Sequence, residues 1–263
     1  MIPMRKPQTG VACAGCPHRA AFVVVKDAVG RGRGRVFCGD AGCSAVGPLH
    51  PAATTCPGGE AALMPRYRQA MPAGDEEAPA TVCAHFVPDR ALLDPACAVE
   101  LDHLAREGAT VLLCVLASRK DSQRPEGQAA LVARARELGC TDVAVLDPFD
   151  TLASSGAVFS ALEAPGVHGL VFASPCAQLM AGAFEPAEVN AFACMGCQRC
   201  NQITACPALA FVPPTCQIDP DVCAGCDLCA DFCRTHTILS PRERLSPAEK
   251  HAMRVARALG EVA

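Results

Sequence analysis

The run Thr110-Val111-Leu112-Leu113-Cys114-Val115-Leu116-Ala117 is apolar along almost its whole length, without the alternation of a half-exposed strand. Continuous apolar runs of this length are typical of strands that are buried on both faces of a parallel sheet. Two shorter runs of the same kind follow at 142–146 and 167–173, and the segments at about 91–107, 125–138 and 151–163 have helical periodicity. The alternation predicts an α/β fold, a parallel sheet with crossover helices.

The segments on either side of this pattern are less regular. Residues 11–50 predict a helix over 20–29 and a short strand around 36–38. Residues 65–88 are rich in Pro and Ala with an acidic patch, and we interpret them as an irregular surface linker. Ser246-Pro247, with Glu249 three residues after the serine, predicts the start of a terminal helix over 246–260.

Composition excludes several function classes. Of the 263 residues, 51% are hydrophobic but only 4% are aromatic, and the net charge is −4. Neither a large basic surface nor aromatic platforms for stacking on bases are available, so nucleic acid is not an expected partner. No run approaches the ~18 apolar residues of a membrane span, and the N-terminus has no apolar stretch of a signal peptide. We therefore expect a cytoplasmic protein without membrane insertion.

The 19 cysteines indicate metal ligation rather than a disulfide scaffold. Eight of them form two similar runs, Cys194-x2-Cys197-x2-Cys200-x5-Cys206 and Cys223-x2-Cys226-x2-Cys229-x3-Cys233. Two-residue spacers let three sulfurs of one loop face three irons of a [4Fe–4S] cluster, while the fourth ligand comes from the other run. The spacing therefore predicts two such clusters.

This interleaving assigns one ligand set to each cluster. The first set is Cys194, Cys197, Cys200 and Cys233, and the second is Cys206, Cys223, Cys226 and Cys229. The alternative is zinc, which usually takes two separated Cys-x-x-Cys pairs. The five-residue final spacer of the first run, and Arg234 where bacterial ferredoxins have Pro, depart from the common pattern without removing a ligand. We expect residues 186–240 to form a small α+β bacterial-type dicluster ferredoxin domain.

Three further motifs precede this module: Cys13-Ala14-Gly15-Cys16-Pro17-His18-Arg19, Gly39-Asp40-Ala41-Gly42-Cys43 and Ser174-Pro175-Cys176-Ala177. In this order they resemble the large subunits of indolepyruvate:ferredoxin oxidoreductases, over most of residues 11–60 and 110–240. In the wider 2-oxoacid:ferredoxin oxidoreductase family, a domain that binds thiamine pyrophosphate carries a cluster nearby. The resemblance implies a third [4Fe–4S] cluster, held by Cys13, Cys16, Cys43 and Cys176, with Cys38 or Cys56 as reserve ligands. The alternative is a Cys-x-x-Cys redox pair or a zinc site.

Other parts of the family pattern are missing from this sequence. The family holds the Mg²⁺ of thiamine pyrophosphate with an Asp that follows a Gly and with an Asn further along the chain. The two asparagines here, Asn190 and Asn201, lie in the cysteine module, and the expected positions read Ala84-His85-Phe86 and Leu116-Ala117-Ser118. The domains that supply the activating Glu and cover the substrate are also absent. We therefore expect a truncated, degenerate thiamine-pyrophosphate-domain-like α/β domain that binds no thiamine pyrophosphate.

Three parts are thus predicted: the degenerate domain with one cluster over 1–185, the ferredoxin-like domain over 186–240, and a C-terminal helix within 241–263. The expected function is electron relay through three [4Fe–4S] clusters inside a larger anaerobic redox complex, without a catalytic centre of its own. Expected partners are a catalytic oxidoreductase subunit, and ferredoxin or a flavoprotein, in a hetero-oligomer. Two alternatives remain: a thiamine-dependent 2-oxoacid:ferredoxin oxidoreductase subunit completed by a partner chain, and a cluster-bearing structural or assembly factor.

Overall fold

The computed structural model describes residues 13–30, 34–39, 81–93, 105–106, 108–180, 182 and 184–261. Most of the helix predicted at 91–107 and residues 65–80 of the predicted linker lie outside these ranges. Two of the candidate ligands, Cys43 and Cys56, also lie outside them, and Cys38 is described only as a backbone position of the first strand.

The centre of the fold is a five-stranded sheet in which all neighbouring strands are parallel. Its spatial order is β1-β2-β3-β5-β4, so β3 is central and the connection from β3 to β4 skips one strand position. The predicted α/β fold with a parallel sheet is confirmed. The strands are β1 (Arg35–Gly39), β2 (Val82–Pro88), β3 (Thr110–Ala117), β4 (Asp142–Leu146) and β5 (Gly166–Ala173).

Strand β2 was not expected. Its residues were predicted to belong to the irregular linker, and that prediction is wrong for 82–88. Every residue of β2 except Pro88 is buried, and the strand pairs with β1 on one edge and β3 on the other. This short apolar run follows a long Pro- and Ala-rich stretch. It forms a strand because it pairs with a strand on each edge and is buried on both faces.

Helices cover both faces of the sheet, as they do in doubly wound folds. They are α1 (Pro17–Val29), α2 (Asp89–Leu92), α3 (Pro125–Glu137) and α4 (Thr151–Ala161). Leu112, Cys114 and Leu116 of β3 pack in one core with α1 and α4. Val111, Leu113 and Val115 pack in a second core with α2 and α3. Because successive side chains of a strand point to opposite faces, the continuous apolar run of β3 fills both cores.

Most predicted elements match the observed ones closely. Helices were expected at 125–138 and 151–163, where α3 and α4 lie. The helix expected at 20–29 begins three residues earlier, because Pro17 occupies the first helical position, where its missing N–H costs nothing.

Three cysteines without motif spacing are buried in or beside the sheet. Cys83 lies on β2, Cys114 on β3, and Cys140 precedes β4; none is more than 6% exposed. Burial raises the pKa of Cys114 well above its ordinary value and that of Cys140 to about 12. Cys114 packs in the core between the sheet and helices α1 and α4.

After residue 184 the chain changes character. β6 (Glu188–Val189) pairs with β9 (Ile238–Leu239), and β7 (Leu209–Val212) pairs with β8 (Thr215–Ile218), both antiparallel. Two short helices lie among these strands, α5 (Arg199–Thr204) and α6 (Leu228–Asp231). With so little regular structure, the packed residues of this part are to a large extent its cysteines.

The last helix, α7 (Pro247–Leu259), contacts both the sheet and the cysteine-rich part that follows residue 184. It begins with the predicted capping box of Ser246 and Glu249. Arg254 donates to the Asp147 carboxylate after β4, and Lys250 pairs with Asp227 before α6 at 3.2 Å. Across the described residues, no helix is long and apolar enough to cross a membrane.

Candidate metal centres

Four cysteines of the two C-terminal runs line one cavity beside α6, and Cys16 also lines it. Cys206 follows α5, Cys223 and Cys226 lie in the loop before α6, and Cys229 lies within α6. Both cysteine runs contribute to this set, because Cys206 comes from the first run and the other three come from the second. These are the four residues predicted for the second cluster, and the structure brings them together.

The chemistry of this cavity suits an iron–sulfur cluster. Burial raises the pKa of Cys226 to about 12 and also raises the pKa values of Cys206 and Cys229, so these thiols are neutral when nothing positive is bound. The backbone N–H of Gly225 points to the sulfur of Cys223 at 3.4 Å, an amide contact of the kind that stabilises bound thiolate. Four soft sulfur donors around a buried cavity fit an iron–sulfur cluster.

Three cysteines of the first predicted set, Cys194, Cys200 and Cys233, lie in one packed cluster of side chains that also contains Cys206 and Cys229 of the second set. Cys200 is buried there, and Cys194 and Cys233 pack against the same core. Cys197 is exposed at the surface. A fifth cysteine, which the spacing did not identify as a ligand, lies within this group: the sulfur of Cys216 on β8 is 3.8 Å from that of Cys200.

Cys233 has surroundings that differ from those of the other cysteines. Burial opposes its ionisation, yet hydrogen bonds from Thr237 and Thr235 outweigh burial and lower the pKa of Cys233 to about 7. The backbone N–H of Thr237 donates to the Cys233 sulfur at 3.3 Å, and the Thr237 hydroxyl lies 3.5 Å from it. Cys233 is therefore prepared to bind as a thiolate, and no pattern in the sequence identified its two threonine partners.

Three of the four cysteines of the predicted third set share one neighbourhood. Cys13 and Cys16 flank the turn before α1, and Cys176 follows β5, where its N–H donates to the Ser118 carbonyl at 2.8 Å. The Gln178 side chain donates to the Cys13 sulfur at 3.6 Å. Burial raises the pKa of Cys16 to about 12, and the nearby charges of Cys13 and Cys176 add to this effect. The fourth, Cys43, lies outside the described residues.

Within the described ranges, no three side chains of the His, Cys, Asp and Glu types form a group that could hold one metal ion. The four cysteines of the second set share the lining of one cavity.

The loop of Cys13 and Cys16 touches the loop of the second set directly. Gly15 has a φ of +71°, and a methyl group on it would lie 2.6 Å from the Cβ of Ala224 and 3.9 Å from that of Cys226. Gly15 is required both by its backbone conformation and by this close approach. Two of the three candidate centres are therefore adjacent in the fold.

The position expected for a thiamine site has different chemistry. Residues 84–86, which the sequence comparison placed there, lie within β2 rather than at its end. The end of β2 leads instead to Asp89, a buried carboxylate that accepts from the Ser122 hydroxyl at 2.6 Å and from the Arg119 backbone N–H at 3.2 Å. The Arg119 guanidinium pairs with the same carboxylate at 3.3 Å. A cation of the chain itself thus pairs with Asp89.

Comparison with known proteins supports the family resemblance. The chain is 27% identical to "Indolepyruvate oxidoreductase subunit IorA" of Thermococcus kodakarensis, over 89% of this chain and 40% of the relative. The resemblance to the indolepyruvate oxidoreductases is confirmed. IorA of Pyrococcus horikoshii is 26% identical over the same shares, and IorA of Methanothermobacter thermautotrophicus is 29% identical over 88% of this chain and 40% of the relative. The chain thus spans about 40% of the length of these IorA relatives. No family model and no solved structure matches it.

Proposed function

We propose that this chain is an iron–sulfur subunit of an oxidoreductase complex of the indolepyruvate:ferredoxin oxidoreductase type, and that it relays electrons through three [4Fe–4S] clusters. The observation that carries the proposal is the cavity lined by Cys206, Cys223, Cys226 and Cys229. Interleaving of two distant cysteine runs around one site is the arrangement of two-cluster ferredoxins. A [4Fe–4S] cluster bound there takes up and gives back single electrons.

The proposed ligand sets follow the three groups of cysteines. The first cluster takes Cys194, Cys197, Cys200 and Cys233, and the second takes Cys206, Cys223, Cys226 and Cys229. The third takes Cys13, Cys16, Cys43 and Cys176. In this proposal residues 1–185 form the domain of the third cluster, 186–240 form the ferredoxin-like domain, and 241–263 carry the terminal helix.

A relay needs a donor and an acceptor, so the proposal includes partners. The relatives are named as subunits, which supports a tightly bound catalytic subunit on one side. A ferredoxin or a flavoprotein is the proposed partner on the other side. The chain itself supplies no thiamine chemistry in this proposal, because Arg119 already occupies the carboxylate of Asp89.

The test is anaerobic quantitation of iron and sulfide, with EPR of the reduced protein, on the wild type and two variants. We expect about twelve irons per wild-type chain, and about eight in each of Cys226→Ser and Cys176→Ser, because each serine removes one ligand of a four-iron centre. Cys114→Ser serves as the matched control, since this buried cysteine belongs to the sheet core.

Other results would change the proposal in specific ways. About eight irons in the wild type and in Cys176→Ser would remove the third cluster and leave a two-cluster protein. Tightly bound zinc without acid-labile sulfide would overturn the electron-transfer function altogether.

The second candidate function is a subunit of a thiamine-pyrophosphate-dependent oxidoreductase that a partner chain completes. The names of the relatives favour it, since they are called indolepyruvate oxidoreductase subunits. Saturable binding of thiamine pyrophosphate and Mg²⁺ in isothermal titration of the purified chain would support this candidate over the first.

A further inference from the structure

Arg19, in the first turn of α1, lies between two of the candidate centres. Its side chain lines the cavity of the second set together with Cys16 and Cys206. The residue is only 2% exposed, so its guanidinium is removed from solvent. A buried cation therefore sits where the loop of Cys13 and Cys16 meets the ferredoxin-like part of the chain.

The contacts of Arg19 cross the molecule. One guanidinium nitrogen, Nη1, donates to the carbonyls of Thr204 and Ala205, each at 2.6 Å. These carbonyls end helix α5, immediately before Cys206, and Ala205 has a left-handed φ of 45°. Nε points back to the Cys13 carbonyl at 3.5 Å. A single side chain thus links the loop of one cysteine set to a ligand position of another.

We propose that Arg19 is a positioning residue that fixes Cys206 relative to the Cys13–Cys16 loop, and that its buried charge raises the reduction potential of the clusters bound on either side. This inference rests on the proposed function, because it requires clusters at both places. It adds a role for a residue that supplies no sulfur.

The direction of the effect follows from electrostatics. Reduction adds one negative charge to a cluster, and a nearby cation stabilises the more negative form, more strongly where water is excluded. Arg19 lines the same cavity as Cys16 and Cys206, so its charge acts on the clusters bound at both places.

The test compares Arg19→Met, which keeps bulk and removes charge, with Arg19→Lys, which keeps charge and removes the planar fork. Arg134→Met is the matched control: Arg134 lies on α3, on the opposite face of the sheet from α1, and also donates to a backbone carbonyl, that of Leu92 at 3.2 Å. The full chain is reconstituted anaerobically, its iron is counted, and EPR follows reduction by dithionite.

We expect Arg19→Met to lower the reduction potential of at least one cluster by about 59 mV. For a one-electron reduction, this is a tenfold change in the equilibrium constant. Arg19→Lys should shift less, and Arg134→Met should match the wild type. A fully loaded Arg19→Met with wild-type potentials would overturn the inference and leave Arg19 as a helix cap.

If Arg19→Met does not retain its iron, the Arg19→Lys variant tests whether the charge of residue 19 matters. Wild-type iron with near-wild-type potentials in the Lys variant supports the role of the charge. Loss of iron in both variants overturns it in favour of a purely structural role. A wild-type chain that binds no cluster fails at the earlier step and overturns the proposed function itself.

Discussion

Cys216 and Cys233 both lie beside Cys200, so the proposed first cluster, which needs four ligands, has a fifth candidate in Cys216. They differ in their hydrogen bonds. The Cys233 sulfur accepts from the Thr237 backbone, whereas Cys216 is 2% exposed on β8 and contacts the sulfur of Cys200. The residue with thiolate-stabilising donors is the better ligand.

We therefore expect Cys233→Ser to lose about four irons per chain and Cys216→Ser to keep them all. Iron and sulfide quantitation after identical reconstitution makes the comparison, and each variant is the control for the other. The reverse result, with iron lost only in Cys216→Ser, would transfer the fourth ligand of the first cluster to Cys216.

Residue spacing predicted that Cys206, Cys223, Cys226 and Cys229 would lie together, as they do, but it did not predict their surroundings. A cluster dictates the short spacers between its ligands, so Cys223, Cys226 and Cys229 could be read directly from the sequence. Arg19 could not be found in this way, because its partner Thr204 is 185 positions away along the chain. Only the fold brings these two residues into contact.

At the scale of elements, the start of α7 offers a direct test. Ser246 accepts from the Glu249 backbone N–H at 3.3 Å, and the Glu249 carboxylate accepts from the Ser246 backbone N–H at 2.8 Å. We expect Ser246→Ala to reduce the free energy of unfolding by about 1 kcal/mol, with Ser246→Asn nearly neutral as the control. Chemical denaturation monitored by circular dichroism measures both.

The effect of this substitution should depend on pH. Hydrogen bonds from Ser246 lower the pKa of Glu249 in the folded chain. A lowered pKa gives stability that is present above the unfolded pKa and is lost as the pH falls through the folded value. The difference in free energy of unfolding between the wild type and Ser246→Ala should therefore become smaller as the pH falls into the acid range. A constant difference down to the lowest pH would show that the carboxylate contributes nothing.

Element prediction succeeded where a signal was local. The capping residues of α7 and the apolar run of β3 lie within one segment each, and both elements were expected where they occur. β2 was missed because the run at 82–88 is short and forms a strand only by pairing with β1 and β3. Parallel pairing is a tertiary property and leaves little trace in a single segment.

At the scale of the whole molecule, contacts on two sides join the sheet to the cysteine-rich part. On one side Gly15 packs against Ala224 and Arg19 binds the end of α5. On the other, Arg254 and Lys250 of α7 bind Asp147 and Asp227. A change that destabilises one part should therefore also destabilise the segments of the other part that contact it.

We expect loss of the second cluster in Cys229→Ser to increase amide hydrogen exchange roughly tenfold in the first turn of α1, because that turn packs on the cluster loop. Exchange in α3, which packs on the opposite face of the sheet, should not change. Hydrogen exchange with mass spectrometry measures both in one experiment. Unchanged exchange in α1 would mean that the two parts are energetically independent.

The buried thiols of Cys83, Cys114 and Cys140 have a practical consequence for labelling. An alkylating reagent reaches them only when the sheet opens, because they are almost solvent-free and burial raises the pKa values of Cys114 and Cys140. Their modification by iodoacetamide, followed peptide by peptide, records how often the sheet unfolds. Alkylation of these three thiols thus reports unfolding of the sheet both with and without bound metal.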